Sequence, residues 1–216
     1  MLYQNYTVKD LSNLPAEHIL KEMDFVKKMN RRLKDKLYWR YEAKPDARGE
    51  MYLIYDDILK GWAFLSDARD ALLKRGEYTT GIVEQRLIDK RAAYAGVKRI
   101  EYEYLSMVGL ESMTLDVDER HAVVSSSFMK GEADCDVRKD VVEMFLRSMS
   151  ELHVEEWKKQ YKLLGEADMT DVPSWKLTLT LADGSRVRYS GRGDYPYNFF
   201  KLKDTVHRLM NEVISE

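Results

Sequence analysis

The segment from Trp175 to Leu202, WKLTLTLADGSRVRYSGRGDYPYNFFKL, constrains the fold most, because one β-hairpin register alone keeps its apolar side chains together. Trp175, Leu177, Leu179 and Leu181 alternate with Lys176, Thr178, Thr180 and Ala182, a half-buried strand pattern. On the return strand Val187 and Tyr189 share one face, and Arg186 and Arg188 the other. A two-residue turn at Asp183-Gly184 sets Leu179 opposite Arg188, whereas a three-residue loop, Ala182-Asp183-Gly184, sets Leu179 opposite Val187 and Leu177 opposite Tyr189. A slip of one residue inverts faces, so the apolar match selects the three-residue loop. Gly184 then takes the left-handed position such loops require. Gly191 and Gly193 are expected to loosen the exit, Pro196 to end the strand, and Asn198 to cap a last helix. On that helix Phe199, Leu202, Val206, Leu209 and Val213 form one face.

Upstream the period changes. Residues 1–97 read as helical. Leu14-Pro15 opens a helix whose Ile19, Met23, Val26, Met29, Leu33, Leu37 and Tyr41 recur at three-four spacing. Lys44-Pro45-Asp46 breaks it, and Arg48-Gly49 completes the loop. A second helix over about 51–74 carries Tyr55, Ile58, Leu59, Trp62, Leu65 and Leu72. A third over about 79–95 carries Ile82, Val83, Leu87 and Ala92. Short connections predict a helical hairpin or small bundle.

From Val97 the period is two. Ile100, Tyr102 and Tyr104 define a strand, Gly109 a turn, and Met113, Leu115 and Val117 face Ala122, Val124, Ser126 and Phe128 across a loop at Asp118 to His121. Gly131 to Asp136 reads as a polar loop, and Val137, Val141, Phe145, Met149, Val154, Trp157 and Tyr161 as two further helices. A loop through Gly165 and Pro173 leads to the hairpin. The order from residue 98 to 216 is βββ-α-α-ββ-α, so the chain is α+β: an N-terminal helical segment (1–97), then an antiparallel sheet of meander plus hairpin packed against helices.

Composition excludes several classes. Net charge is −2 over 216 residues, so no global field favours nucleic acid or acidic lipid. No apolar run approaches the ~20 residues a membrane helix needs, and MLYQNYTVKD lacks the order of a signal peptide. The single cysteine, Cys135, cannot form an internal disulfide and fits a reducing, cytoplasmic setting.

Charge is nevertheless segregated. From Lys27 to Lys44 eight basic residues outnumber two acidic ones, a local +6 that leaves −8 for the rest. Lys27, Lys28, Arg31, Arg32, Trp39 and Arg40 are the candidate binding residues: Lys28, Arg32, Asp35 and Trp39 share one helical stripe opposite Met29, Leu33 and Leu37. A basic stripe beside an aromatic tracks phosphates or pairs with an acidic protein; the competing reading is a solvated amphipathic face. Glu132, Asp134 and Asp136 with Asp116 and Asp118 are the one set of carboxylates that could build a cation site, against a solvated loop in which Asp134 or Asp136 caps a helix. His18, His121, His153 and His207 show no metal-ligand spacing, and a Cys135 pair with His121 or His153 lacks any adjacent base pattern. Ser125-Ser126-Ser127 and Gly191-Arg192-Gly193 match neither a nucleophile elbow nor a phosphate loop. No catalytic residue, metal or cofactor is assigned. Tyr195-Pro196-Tyr197 offers an aromatic surface for a peptide, or a staple onto the core.

The pattern Trp175-x-Leu177, Asp183-Gly184, Tyr189-Ser190-Gly191, Tyr195-Pro196 and Asn198-Phe199, preceded by Trp157 and Tyr161, resembles a module of uncharacterised proteins from Gram-positive bacteria and their phages and mobile elements. The resemblance covers roughly residues 98–210 and implies a recognition scaffold without an assigned catalytic residue. Together these readings predict a non-enzymatic interaction protein with a protein partner, a bacterial or phage accessory factor. A nucleic-acid-binding protein using residues 27–44 is the first alternative and a metal-dependent enzyme the second.

Overall fold

The computed structural model describes residues 6–43, 48–129, 131–162 and 172–215, with the side chains of Val8, Lys9 and residues 39–43 excepted. The expected break at Lys44-Pro45-Asp46, the loop at Gly165 and the side chains of Trp39, Arg40 and Tyr41 therefore lie outside the described residues. The chain divides into two compact units, Met1–Glu84 and Gln85–Glu216.

The first unit is helical. Its helices are α1 (Val8–Asn13), α2 (Ala16–Ala43), α3 (Arg48–Lys74) and the first turn of α4 (Ile82–Ala95). Arg48-Gly49 belongs to the start of α3, not to a loop. The sequence reading missed α1, although Thr7 and Asp10 form a capping box: the Thr7 hydroxyl accepts from the Asp10 amide at 3.2 Å, and the Thr7 amide donates to the Asp10 carboxylate at 2.7 Å. Leu11, Ile19, Met23, Val26, Phe64, Ala68 and Leu72 form the core of this unit. Arg75 donates to the Leu14 carbonyl at 2.7 Å, so the end of α3 lies beside the start of α2. Near the middle of the pair Asn30 sits against Gly61, and its amide donates to the Ile58 carbonyl at 3.4 Å. A Cβ at Gly61 would strike the Asn30 amide group. α4 forms where expected, but its apolar positions do not make a covered face: no residue on it is buried, and Ile82 is 75% exposed.

The second unit is built on a seven-stranded sheet in the order β4-β3-β2-β1-β6-β7-β5. The strands are β1 (Arg99–Ser106), β2 (Gly109–Asp116), β3 (His121–Ser126), β4 (Gly131–Asp136), β5 (Gln160–Lys162), β6 (Ser174–Thr180) and β7 (Arg186–Arg192). Every pairing is antiparallel except β5 with β7. The β6–β7 register is the one that the apolar match selects, Leu177 opposite Tyr189 and Leu179 opposite Val187, with Gly184 at φ 79°. Trp175, Leu177, Leu179 and Tyr189 are buried, while Val187 is half-buried.

Three expectations fail for identifiable reasons. The β2–β3 pairing sets Leu115 opposite Ala122 and Asp116 opposite His121, two residues from the expected register. A shift of two preserves faces, so the apolar pattern does not discriminate. Gly131–Asp136 is an edge strand paired to β3, not a loop; its inward residues Gly131, Ala133 and Cys135 are too small to write a hydrophobic pattern. The second helix expected at Val154–Tyr161 is absent: after α5 (Lys139–Ser150) the chain makes one 3-10 turn at Val154–Glu156 and then β5.

α5 and α6 (Phe199–Ser215) cover one face of the sheet. Val141, Phe145 and Met149 of α5 and Phe199, Leu202, Val206, Leu209 and Val213 of α6 are buried, as are Ile100, Tyr102, Met113, Leu115, Ala122 and Val124 of the strands. Trp175 anchors this core. Its ring lies 4.9 Å from Phe199, 5.8 Å from Tyr161 and 6.0 Å edge-on from Trp157, and its Nε1 donates to the Asp194 carbonyl at 3.0 Å. Gly191 does not loosen the exit; it stands opposite Trp175, and a Cβ there would meet the indole and the Asp194 carbonyl. Asn198 is fully buried, with Oδ1 accepting from Trp157 Nε1 at 3.1 Å and Nδ2 donating to the Leu152 carbonyl at 2.8 Å.

Trp175→Ala is expected to lower stability by about 3–5 kcal/mol, measured by denaturant unfolding; a loss below about 1 kcal/mol would contradict the enclosure. Gly61→Ala is expected to destabilise the helical unit by about 1–3 kcal/mol, although alanine favours an open helix by about 1 kcal/mol. That loss should shrink in an Asn30→Ala background, read by the same unfolding measurement.

Candidate functional site

Three surfaces or clusters carry chemistry, and they lie on different elements. The first is the exposed line of α2. Lys27, Lys28, Arg31 and Arg32 are all exposed, and none pairs with a described carboxylate. Lys34 turns away from them, its ammonium 4.5 Å over the Trp62 ring. Sequence reasoning missed Phe25, which is 41% exposed on the same line. The available signal was its position: Ile19, Met23, Val26, Asn30 and Leu37 are the buried residues of α2, and Phe25 falls on Lys21, Lys28 and Arg32 instead.

The second is the tip of the β1–β2 hairpin. Met107 and Val108 form its two-residue turn and are 77% and 76% exposed. Leu105 and Leu110 pair across the strands just below them and are exposed too. The Ser127 amide donates to the Leu110 carbonyl at 3.0 Å, while the Phe128 ring lies 6.5 Å from Tyr104, on the opposite face of β1. The same outward face then turns charged: Lys176 meets Glu103 at 2.8 Å and Arg186 meets Glu101 at 3.0 Å. Two apolar residues at a turn, where polar turn formers are the rule, were the legible signal here.

The third group is the histidine–carboxylate contacts. On the outward face His121 lies between two residues of β4, Nε2 at 2.8 Å from Asp134 and Nδ1 at 3.1 Å from Asp136. Hydrogen bonds to Asp136 and then Asp134 raise its pKa above the ordinary histidine value. The two carboxylates meet opposite edges of one ring, so they do not converge on a common point. Asp116 is the cross-strand neighbour of His121, while Asp118 pairs with Lys98 at 2.6 Å, so the four aspartates form no single cluster. Among the described residues no three His, Cys, Asp or Glu side chains are arranged to hold a metal ion. Cys135 alternates with Asp134 and Asp136 along β4 and thus faces away from His121.

Two more histidines hold buried carboxylates. Glu111 is 1% exposed, with His207 Nε2 at 2.9 Å and the Ser126 hydroxyl donating at 3.4 Å. His153, buried at φ 50°, contacts Glu155 through Nδ1 at 3.1 Å and the Arg91 guanidinium through Nε2 at 3.4 Å. A guanidinium only donates, so Nε2 accepts and Nδ1 carries the proton to Glu155. Burial is the main cause that lowers the His153 pKa, and the hydrogen bond to Glu155 opposes it.

Tyr195 and Tyr197 are half-buried. The Tyr195 ring lies 4.7 Å from Phe199, beside the Trp175 core.

No protein-family model, no curated protein and no solved structure matches this chain. The fold itself defines the class: an α+β protein with a helical unit and a seven-stranded, mostly antiparallel sheet. No helix among the described residues is long and apolar enough to cross a membrane.

His121 should titrate by NMR with a midpoint above the usual ~6.5, and Asp134→Asn should lower that midpoint. Its raised value means that its contribution to stability is present below the unfolded-state pKa and is lost as pH rises through the folded-state value.

Proposed function

We propose that this chain is a non-enzymatic interaction protein whose sheet unit grips a partner protein through the tip of the β1–β2 hairpin. The observation that carries this reading is the exposure of Met107 and Val108 over the exposed Leu105–Leu110 pair. Contiguous apolar surface of this kind marks interaction sites. An apolar centre backed by ion pairs, here Glu103–Lys176 and Glu101–Arg186, has the composition of a protein interface with its polar rim. The histidine–carboxylate contacts support a structural use of these rings: His121 ties β3 to β4, and His207 ties α6 to β2.

The setting in this reading is the cytoplasm of a bacterium, with the protein acting as an accessory factor of bacterial or phage origin. The unpaired Cys135 supports a reducing compartment. The resemblance of residues 98–210 to modules of Gram-positive bacteria and their mobile elements supports the origin. A regulator of a larger host machine fits a small protein with separate binding faces.

The test is affinity capture with the full chain at about 150 mM salt, where exposed charges are screened. Met107→Glu with Val108→Glu should leave unfolding unchanged within about 0.5 kcal/mol. It should also eliminate at least one protein that the parent chain and a Lys28→Glu, Arg32→Glu variant both recover. Identical recoveries at equal stability would refute the tip as the contact.

A further inference from the structure

We propose that the outer edge of β4 takes up an extended basic peptide segment as an added antiparallel strand, with lysine or arginine side chains opposite Glu132, Asp134 and Asp136. This goes beyond the hairpin-tip reading and rests on different strands of the sheet unit.

β4 is a terminal strand, bonded to β3 alone, and at 6 residues it is longer than β5 at the other edge, which has 3. The phase of its hydrogen bonds decides which backbone groups stay open. The Val137 amide donates to the Arg120 carbonyl at 2.6 Å, one position beyond the His121–Asp136 pair. Bonded pairs alternate along antiparallel strands. Gly131, Ala133 and Cys135 therefore turn their amides and carbonyls toward Ser126, Val124 and Ala122 of β3. On the other side of β3 the bond from the Ser127 amide to the Leu110 carbonyl sets the same alternation. The amides and carbonyls of Glu132, Asp134 and Asp136 thus point to the open edge, and among the described residues no loop bonds to them. Donors and acceptors repeated at every second residue are a template for strand addition.

The backbone makes the site, and the side chains choose its occupant. The same three residues carry carboxylates on the outward face. Asp134 and Asp136 each give one oxygen, Oδ1, to His121, and their side chains remain 72% and 91% exposed. An added strand sets its outward side chains directly opposite these groups, where like charges destabilise and opposite charges stabilise. An acidic strand is rejected and a basic one accepted. The inward side favours apolar side chains on the alternate positions. Gly131, Ala133 and Cys135 are half-buried there, with the half-buried Ile214 of α6 lying against Gly131. The chemistry recognised is an extended chain that alternates basic and apolar residues.

The test uses the full chain and a short fluorescein-labelled peptide alternating lysine and valine, read by fluorescence anisotropy. In an antiparallel pairing the lysine amides face β4 and the valine amides face solvent. Methylating the lysine amide nitrogens should therefore weaken binding about tenfold or more, while methylating the valine amide nitrogens should leave it unchanged. Glu132→Gln with Asp136→Asn should weaken it about 2- to 30-fold, the range that two cross-strand charge pairs supply. Asp134→Pro, which removes an amide that faces the edge, should weaken it about 2- to 10-fold more than Asp134→Asn. Amide exchange at Glu132, Asp134 and Asp136 should slow in the complex. Met107→Glu with Val108→Glu should leave peptide binding intact, so failure of the edge is read apart from failure of the hairpin tip. Absence of binding at low salt overturns the proposal. So does equal affinity for the same residues arranged in two blocks with indifference to methylation, which would leave only charge attraction. A peptide-free chain that sediments as a dimer, and as a monomer in Asp134→Pro, would give the edge to a second copy and overturn it as well.

Discussion

The indole of Trp175 seated on the bare backbone of Gly191 is the contact around which the sheet unit is organised. Antiparallel pairing sets the two residues opposite each other, and the missing Cβ leaves room for the ring. The indole N–H then reaches the Asp194 carbonyl, which fixes the path of the chain as it leaves β7. Phe199 at the start of α6, Tyr161 of β5 and Trp157 just before it close on the same ring. Trp157 passes the constraint on through Asn198, whose amide also holds the Leu152 carbonyl. Aromatic pairs contribute about 0.5–1.5 kcal/mol each beyond area burial, so a cluster sharing one ring ties four chain segments with little else.

The sheet was legible where the pattern was local and unambiguous. Leu177, Leu179, Val187 and Tyr189 admitted one register, because the alternatives differed by a single residue and inverted a face. The meander tolerated a two-residue error because its faces are unchanged by it. β4 was invisible as a strand: Gly131, Ala133 and Cys135 pack by being small, and smallness leaves no hydrophobic signature. Val154, Trp157 and Tyr161 imitated a helix because their spacing follows from separate demands, two of them imposed by the Trp175 cluster.

The candidate surfaces were harder to read, for a reason that runs opposite to the core. Sequence periodicity identifies apolar residues by assuming that they are buried. Phe25, Met107 and Val108 run against that assumption, since the placed backbone leaves all three exposed. The basic residues of α2 were readable as charge, while Phe25, next to the buried Val26, falls outside the apolar spacing that the sequence reading followed. His121 was readable only as an isolated residue, since its partners Asp134 and Asp136 come from a strand that the sequence did not announce.

The acidic side chains of β4 have a consequence for how copies of this protein meet one another. β4 ends the sheet and so exposes a row of backbone donors and acceptors to anything extended. Glu132, Asp134 and Asp136 all leave its outward face. Two molecules joining antiparallel along this edge would set carboxylate against carboxylate, and like charges directly opposite are destabilising. The run that resembles a cation site is thus a guard against runaway sheet growth.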